Sequence, residues 1–309
     1  MRVVVALGGN ALSPAHGNGS VEELRQVLTG TADALADLVA AGTSLVLTHG
    51  NGPQVGRLLL QQELAADQVP PMPMDVCGAL SQGQLGYLVA QALDNALRAR
   101  GLASRVLTLV TQVVVDGRDP AFRRPSKPVG PSYERAVAQE IARTSGHVFA
   151  RQPDGGWRRV VASPRPWRFV EQAPLLALVD SGHVVVAAGG GGVPVVEHRG
   201  LLRGVEAVVD KDRTAALLTT AVRADALLIL TEVAEVQIGF GTPAAQKLSS
   251  LTVAQARALL TSGEFPSGSM GPKVEACADV ASTGRQAAIG RLSEASAVLA
   301  GTAGTAFVP

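Results

Sequence analysis

The stretch Thr48-His49-Gly50-Asn51-Gly52-Pro53-Gln54-Val55-Gly56 joins an apolar run, Ser44-Leu45-Val46-Leu47-Thr48, to an apolar-periodic segment that continues through Leu58-Leu59-Leu60. Read locally, it is a buried strand turning into a helix. Proline suits the first helical position, because the N–H it lacks would have no intrahelical acceptor there. Gly50 and Gly52 allow positive φ and let a ligand approach the main chain closely. Such a turn gathers unpaired backbone N–H groups at the positive end of a helix, which suits an anion. A lone Gly-x-Gly fits an ordinary tight strand-to-helix turn equally well. It is not alone: the first apolar run, Arg2 to Leu7, ends in Gly8-Gly9-Asn10. Two glycine–asparagine turns at successive strand ends point to one shared site.

Working outward, Ser20-Val21-Glu22-Glu23 reads as a capping box that opens a helix running to about residue 41. The opening is therefore β-α-β-α with short connections, a pattern that argues for a parallel sheet covered by helices. Residues 68–77 contain Pro70, Pro71 and Pro73 and read as non-helical, with a long helix over 78–100 and a strand over 105–115. Composition then changes. Residues 116–168 are rich in Pro and Arg and too long for a plain connection, so they read as a small lobe or lid. The local excess of cations suggests a basic lid over an anion site, although a solvated surface accounts for most of these arginines. A strand over 184–188 feeds four consecutive glycines, Gly189 to Gly192, an arrangement whose conformational cost asks for a reason. Val208-Val209-Asp210-Lys211-Asp212 leads into a helix, 226–231 is a strand, and Thr252-Val253-Ala254-Gln255 caps the next helix. Met270-Gly271-Pro272-Lys273 opens another, and apolar runs at 287–289 and 306–308 close the sheet.

Composition narrows the function classes. The 309 residues are 47% hydrophobic and 17% charged, which describes an ordered chain able to bury a substantial core. A formal charge of +1 gives no electrostatic case for a nucleic-acid or membrane partner. Cys77 and Cys277 lie far apart without metal-ligand spacing, so a reducing cytoplasm is the expected setting. No Gly-x-x-x-x-Gly-Lys-[Ser/Thr], His-Glu-x-x-His or Gly-x-Ser-x-Gly occurs. His49, at a strand end, reads as a structural residue rather than a base. What remains, glycine-rich strand ends plus lysines, is the set of parts that phosphoryl transfer uses.

Taken together the motifs resemble the carbamate kinase family. They are Ala6-Leu7-Gly8-Gly9-Asn10-Ala11-Leu12, Thr48 to Gly56, Asp75-Val76-Cys77-Gly78-Ala79-Leu80-Ser81-Gln82-Gly83, Lys127-Pro128-Val129-Gly130-Pro131 and Gly156-Trp157-Arg158-Arg159-Val160-Val161. Gly189 to Pro194, Gly204-Val205-Glu206-Ala207-Val208-Val209-Asp210-Lys211-Asp212 and Gly268-Ser269-Met270-Gly271-Pro272-Lys273-Val274-Glu275-Ala276 complete the set. The resemblance runs the length of the chain in the right order. It implies the amino-acid-kinase fold, a three-layer α/β/α sandwich on a mainly parallel open sheet with a protruding lid subdomain. It also implies a cytoplasmic homodimer that moves phosphate between ATP, with Mg2+, and carbamate, and makes ATP from carbamoyl phosphate in arginine or purine-derivative catabolism.

By the same resemblance, the 309 residues form one domain. An N-terminal part, about 1–200 and including the lid, would hold carbamate and the moving phosphate through Gly8, Gly9, Asn10, Gly50, Asn51, Gly52, Gly190 and Gly191. The part from about 201 would hold ATP or ADP through Lys211, Thr231, Val236, Gln237, Met270, Pro272, Lys273 and Val274. Lys127, Lys211 and Lys273 would stabilise the transferring phosphate, with Asp210 orienting the lysines. No residue is expected to ligate Mg2+ directly, since the ion comes on the nucleotide phosphates. Two departures stand out. Ala6 replaces a lysine that many related kinases carry at the end of the first strand, and Gln237 stands where carbamate kinases commonly show an aromatic. The nearest alternative activities are an acyl-phosphate kinase acting on an amino-acid carboxylate such as N-acetylglutamate, or a non-catalytic sensor on the same fold.

Overall fold

The computed structural model describes residues 1–9, 12, 19–103, 105–265 and 269–309, so the expectation for Asn10 lies outside the described residues. β1 (Arg2–Leu7) leads to α1 (Val21–Ala40), whose N-cap Ser20 accepts from the Glu23 N–H while Glu23 Oε2 accepts from the Gly19 N–H at 2.7 Å. β2 (Ser44–His49) runs straight into α2 (Gly52–Leu64), and α3 (Met74–Ala99) follows. α3 thus starts four residues before the expected 78. Only the prolines are excluded from a helix interior, and Pro73 takes the N-cap. Met74 and Cys77 are then free to turn inward, and they pack with Val55 and Leu59 of α2.

The run at 105–115 is not one strand but two, β3 (Val106–Leu109) and β4 (Gln112–Val115), which belong to different sheets. The crossing is buried, so its polar groups need partners. The Thr111 N–H donates to Gln82 Oε1 at 2.9 Å, the Thr111 carbonyl accepts from Gln82 Nε2 at 3.2 Å, and Thr111 Oγ1 accepts from the Ala188 N–H at 3.1 Å. Next comes the insertion, with β5 (Lys127–Tyr133), α4 (Arg135–Ser145), β6 (Phe149–Arg151) and β7 (Trp157–Val161) forming an antiparallel sheet in the order β5-β7-β6 with one helix. β8 (Pro166–Phe169) returns the chain beside β4.

The main body resumes with α5 (Gln172–Asp180), β9 (Val184–Ala187), the hairpin β10 (Val193–His198) and β11 (Leu201–Gly204), α6 (Lys211–Ala221) and β12 (Ala226–Thr231). It ends with β13 (Val236–Ile238), β14 (Gln246–Leu248), β15 (Ser250–Thr252), α7 (Val253–Thr261), α8 (Met270–Ala281), β16 (Gln286–Arg291), α9 (Ala295–Leu299) and β17 (Thr305–Val308). α7 opens on a full capping box between Thr252 and Gln255.

The large sheet has the order β15-β17-β16-β12-β1-β2-β9-β3, and every pair in it is parallel except β16–β17. Its central strands are mostly apolar on both faces, as in Val3–Leu7, Leu45–Leu47 and Ala226–Leu230, because both faces are covered. Successive side chains point to opposite faces. Val4, Ala6, Val46, Val185 and Ile229 accordingly enter a core with α5, α6 and α8, whereas Val3, Val5, Leu47, Val186 and Leu228 enter a second core with α1 and α3. That is the expected three-layer α/β/α sandwich. β2 and β9 continue one side of β1 and β12 takes the other, so loops leaving the carboxyl ends of these strands converge on one crevice.

Candidate active site

The crevice is built from loops that a side chain would obstruct. A Cβ on Gly190 would sit 2.1 Å from Asn51 Nδ2, and one on Gly191 would sit 2.1 Å from the Val209 carbonyl oxygen. Both residues have positive φ, +67° and +95°. This accounts for the four consecutive glycines: they let the turn after β9 lie flat against Asn51 and against the strand-like approach to α6. Thr214 Oγ1 fastens that turn by donating to the Gly191 carbonyl at 3.1 Å. Asn51 is the N-cap of α2, yet its side chain makes no capping bond and instead donates to Ser81 Oγ at 2.7 Å. The start of α2, at Gly52, thus opens onto the crevice.

Charge enters from three elements. Asp210 caps α6, its Oδ1 accepting from the Asp212 N–H at 3.0 Å, and its Oδ2 receives Lys127 Nζ of β5 at 2.8 Å. Asp212, one turn position deeper, receives Lys211 Nζ on Oδ1 at 2.6 Å and Lys273 Nζ on Oδ2 at 2.8 Å. Asp210 therefore pairs directly with Lys127, and Asp212 is the carboxylate that gathers the other two lysines. The sequence run Asp-Lys-Asp offered a signal for it, since the second helical position of a helix capped at 210 can turn inward. Asp212 is almost enclosed, its side chain 4% exposed. Burial would raise its carboxyl, but Lys211 and Lys273 together hold it below its ordinary value. Burial, reinforced by Lys273, draws the Lys211 ammonium below the usual lysine value despite the Asp212 charge.

These groups line a cleft of about 210 Å³ together with Gly50, Asn51, Gly52 and Gly190. Gly9 joins them, because a Cβ on Gly50 would lie 4.0 Å from the Gly9 Cα and 3.7 Å from Lys211. Gly8 sits one step aside, its N–H donating to the Leu230 carbonyl at 2.9 Å, with Thr231 as its neighbour at the end of β12. His49 is buried against Gly189, and its Nδ1 lies 2.9 Å from the Gly50 carbonyl. Desolvation pulls its pKa down to about 4, so it is neutral at physiological pH and serves the turn rather than acting as a base.

A second, more apolar pocket of about 130 Å³ adjoins the first turn of α8, lined by Val233, Gln237, Phe240, Phe265 and Met270 among others. Of the residues expected to hold nucleotide, Gln237 and Met270 are here and Lys211 and Lys273 are in the lysine cleft. Val236, Pro272 and Val274 line neither. Val236 alternates inward on β13 as Gln237 turns outward, and Val274 faces the sheet, so both are fully buried in the core.

The lid is tied down by its own contacts. Tyr133 donates to Glu63 Oε2 of α2 at 2.9 Å, and Gly56 meets the lid backbone at Gly130. The basic character expected of the lid is spent elsewhere. Arg158 donates to the Gly130 carbonyl, Arg159 pairs with Glu206, Arg168 with Glu197 and Arg143 with Glu140, and Arg135 lies over Trp157. Lys127 is the lid cation that lines the cleft.

Residues 1–290 match the model of the amino acid kinase family. The chain belongs to the amino acid kinase family. Among its relatives, the carbamate kinase of Pyrococcus horikoshii is 44% identical over 100% of this chain and 99% of its own. That of Thermococcus kodakarensis is 46% identical over 99% of both chains. Carbamate kinase from Giardia lamblia bound to AMP-PNP superposes with a TM-score of 0.93 at 39% identity, covering 99% of this chain and 98% of that one. This amino acid kinase thus falls among the carbamate kinases, as its motifs imply.

Proposed function

We propose that this amino acid kinase is a carbamate kinase, a phosphotransferase that catalyses ATP + carbamate = ADP + carbamoyl phosphate in both directions. The observation that carries the reading is the convergence of Lys127, Lys211 and Lys273 on one cleft floored by Gly50, Gly52 and Gly190. A phosphoryl group in flight spreads negative charge over its oxygens, and preorganised ammonium and backbone N–H groups stabilise it. Lys211 and Lys273 stand on the side of the nucleotide and Lys127 over the moving phosphate, each poised by an aspartate. Carbamate brings an anionic oxygen as nucleophile, so the chemistry needs no base.

Gly8, Gly9, Asn10, Gly50, Asn51, Gly52, Gly190 and Gly191, in the part up to about residue 200, hold carbamate and the phosphate. The part from about 201 holds the nucleotide, with the apolar pocket at Gln237 and Met270 taking the base. Asp210 and Asp212 already face lysines, a donor set that fits Mg2+ carried on the nucleotide phosphates. There the ion would neutralise phosphate charge. A homodimer is supported by Val76, Leu80 and Tyr87, exposed apolar residues on one face of α3. The setting is the cytoplasm, and the pathway is the catabolism of arginine or purine derivatives, with ATP as product. Magnesium-dependent ATP formation from ADP and carbamoyl phosphate tests the activity. Comparable phosphorylation of N-acetylglutamate, glutamate or aspartate by ATP would refute it.

A further inference from the structure

Behind the catalytic lysines lies a separate cavity of about 250 Å³, formed where α6, α8 and the start of β8 meet. Arg165, Arg213 and Asp279 line it, with the hydroxyl residues Thr220 and Thr283 and an apolar wall of Pro166, Ala216, Leu217 and Val280. None of these residues takes part in the lysine cleft.

The two arginines are only partly used. Arg213 donates to Glu275 Oε2 through Nε at 2.9 Å, and Arg165 donates to Glu275 Oε1 through Nη2 at 2.5 Å. Among the described residues, Nη1 and Nη2 of Arg213 have no protein acceptor, although the side chain is 30% exposed. A guanidinium fork with two free donors matches a carboxylate. At the exposed rim of the cavity, the Asp279 carboxylate has no hydrogen bond or ion pair among the described residues; partial burial and nearby Glu275 raise its pKa, against the opposing charges of Arg165, Arg257 and Arg213. Asp279 therefore offers a solvent-facing carboxylate that a ligand cation can engage. The cavity presents a carboxylate receptor, an ammonium receptor and an aliphatic wall within a volume suited to a small molecule.

We propose that this cavity is a binding site for an aliphatic α-amino acid, its carboxylate on Arg213 and Arg165 and its ammonium on Asp279. The site is separate from the lysine cleft but mechanically joined to it. Arg213 is the residue after Asp212, and Glu275 stands two residues after Lys273 on α8. The Arg213–Glu275 pair therefore runs beside the Lys273–Asp212 pair between the same two helices. Arg165 reaches Glu275 from the root of the lid, where its N–H donates to Asp119 Oδ2 at 3.0 Å. A ligand carboxylate competes with Glu275 for both arginines and so bears on the lid and the lysine helices together.

Isothermal titration of the full chain with L-leucine tests the proposal, run with saturating ADP and magnesium to keep the ligand out of the lysine cleft. Saturable binding with Kd of about 10 mM or tighter is expected, weakened at least about tenfold in Arg213→Gln and in Asp279→Asn, since each removes one charge-assisted contact. Two analogues repeat the test without mutation: 4-methylpentanoate lacks the ammonium and 3-methylbutylamine lacks the carboxylate, and each should bind at least about tenfold more weakly than leucine. Melting curves establish that both variants are folded. Four results would overturn the proposal. These are absence of saturable heat, undiminished binding by either analogue, insensitivity to Asp279→Asn, or binding by inorganic phosphate that matches leucine. The last would make the cavity a simple anion site.

Discussion

Asp212→Asn removes the one carboxylate that faces both Lys211 and Lys273. The contacts are 2.6 and 2.8 Å, and the three side chains are 4%, 13% and 14% exposed. At an effective dielectric of about 20, each contact carries roughly 6 kcal/mol of attraction, offset by the several kcal/mol that enclosing the carboxylate costs. Attraction wins, because losing one partner of a buried set strands the others; the expected destabilisation is about 3–5 kcal/mol. At roughly 2 °C per kcal/mol for a chain of this size, the melting temperature falls by about 6–10 °C. A pH series identifies the cause. Without Asp212, the Lys211 ammonium is depressed further below its unfolded value, so the unfolded chain binds more protons and stability rises with pH. The gap between variant and parent therefore narrows as pH climbs from 7 toward the ordinary lysine value of 10.5. Saturating ADP should restore part of the loss, since its phosphates replace the missing negative charge. Melting curves at pH 7, 8 and 9, with and without ADP, are the assay. An unchanged melting temperature at pH 7, or a gap that widens with pH, would refute the assignment of Asp212 as the counter-charge.

Lys127→Ala should lower kcat by about 10²–10³, equivalent to roughly 2.7–4 kcal/mol, with a smaller effect on KM for ADP; turnover within about threefold of the parent would show that the lid only shelters the reaction. Lys127→Arg should rescue poorly, because a planar fork cannot take the place of an ammonium between Asp210 and the cleft. Asp210→Asn keeps a good N-cap for α6, so stability should change by less than about 0.5 kcal/mol while kcat falls at least about tenfold through a misplaced Lys127. Lost stability with undiminished turnover of the folded fraction would make Asp210 structural. His49, with a folded pKa of about 4 against 6.5, stays neutral while the unfolded chain takes up a proton. About 2 kcal/mol of stability is accordingly lost between pH 7 and pH 5, and urea melts of His49→Gln should lack that part of the pH dependence.

Much of the body was legible because each of its signals is local. Apolar runs closed by glycine mark the strands after which loops converge, and Thr252 with Gln255 announces a capping box that forms as read. Less legible was anything decided across the fold. The split of 105–115 into β3 and β4 depends on Gln82, from the preceding helix, satisfying the Thr111 backbone. The early start of α3 follows from Met74 and Cys77 finding a place against α2. At the site, the spacing of Lys127, Lys211 and Lys273 gave no hint of which carboxylate meets which ammonium, because two aspartates flank Lys211 and only the helix geometry separates them. The lid arginines misled for a related reason. Their charge is visible in composition, whereas the partners that absorb it, Glu140 and the Gly130 carbonyl within the lid and Glu197 and Glu206 beyond it, are chosen by the fold.

The lid leaves the body at β4 and re-enters at β8, and these two strands are antiparallel neighbours, with Val115 opposite Pro166. Topologically, residues 116–165 are an excursion whose two ends already stand side by side. A tight turn could in principle close the gap without rethreading any other strand, and closing so short a loop carries little entropy cost. Such an excision would uncover an apolar patch, Val55 and Leu59 of α2, now covered by Val129 and Val161 of the lid, and would release Glu63, Glu206, Asp210 and Glu275 from their lid partners. Scaffold and catalytic cover are thus separable units of one chain. The reacting centre could be given a different roof, bringing its own cation in place of Lys127, while the helices that present Lys211 and Lys273 stayed as they are.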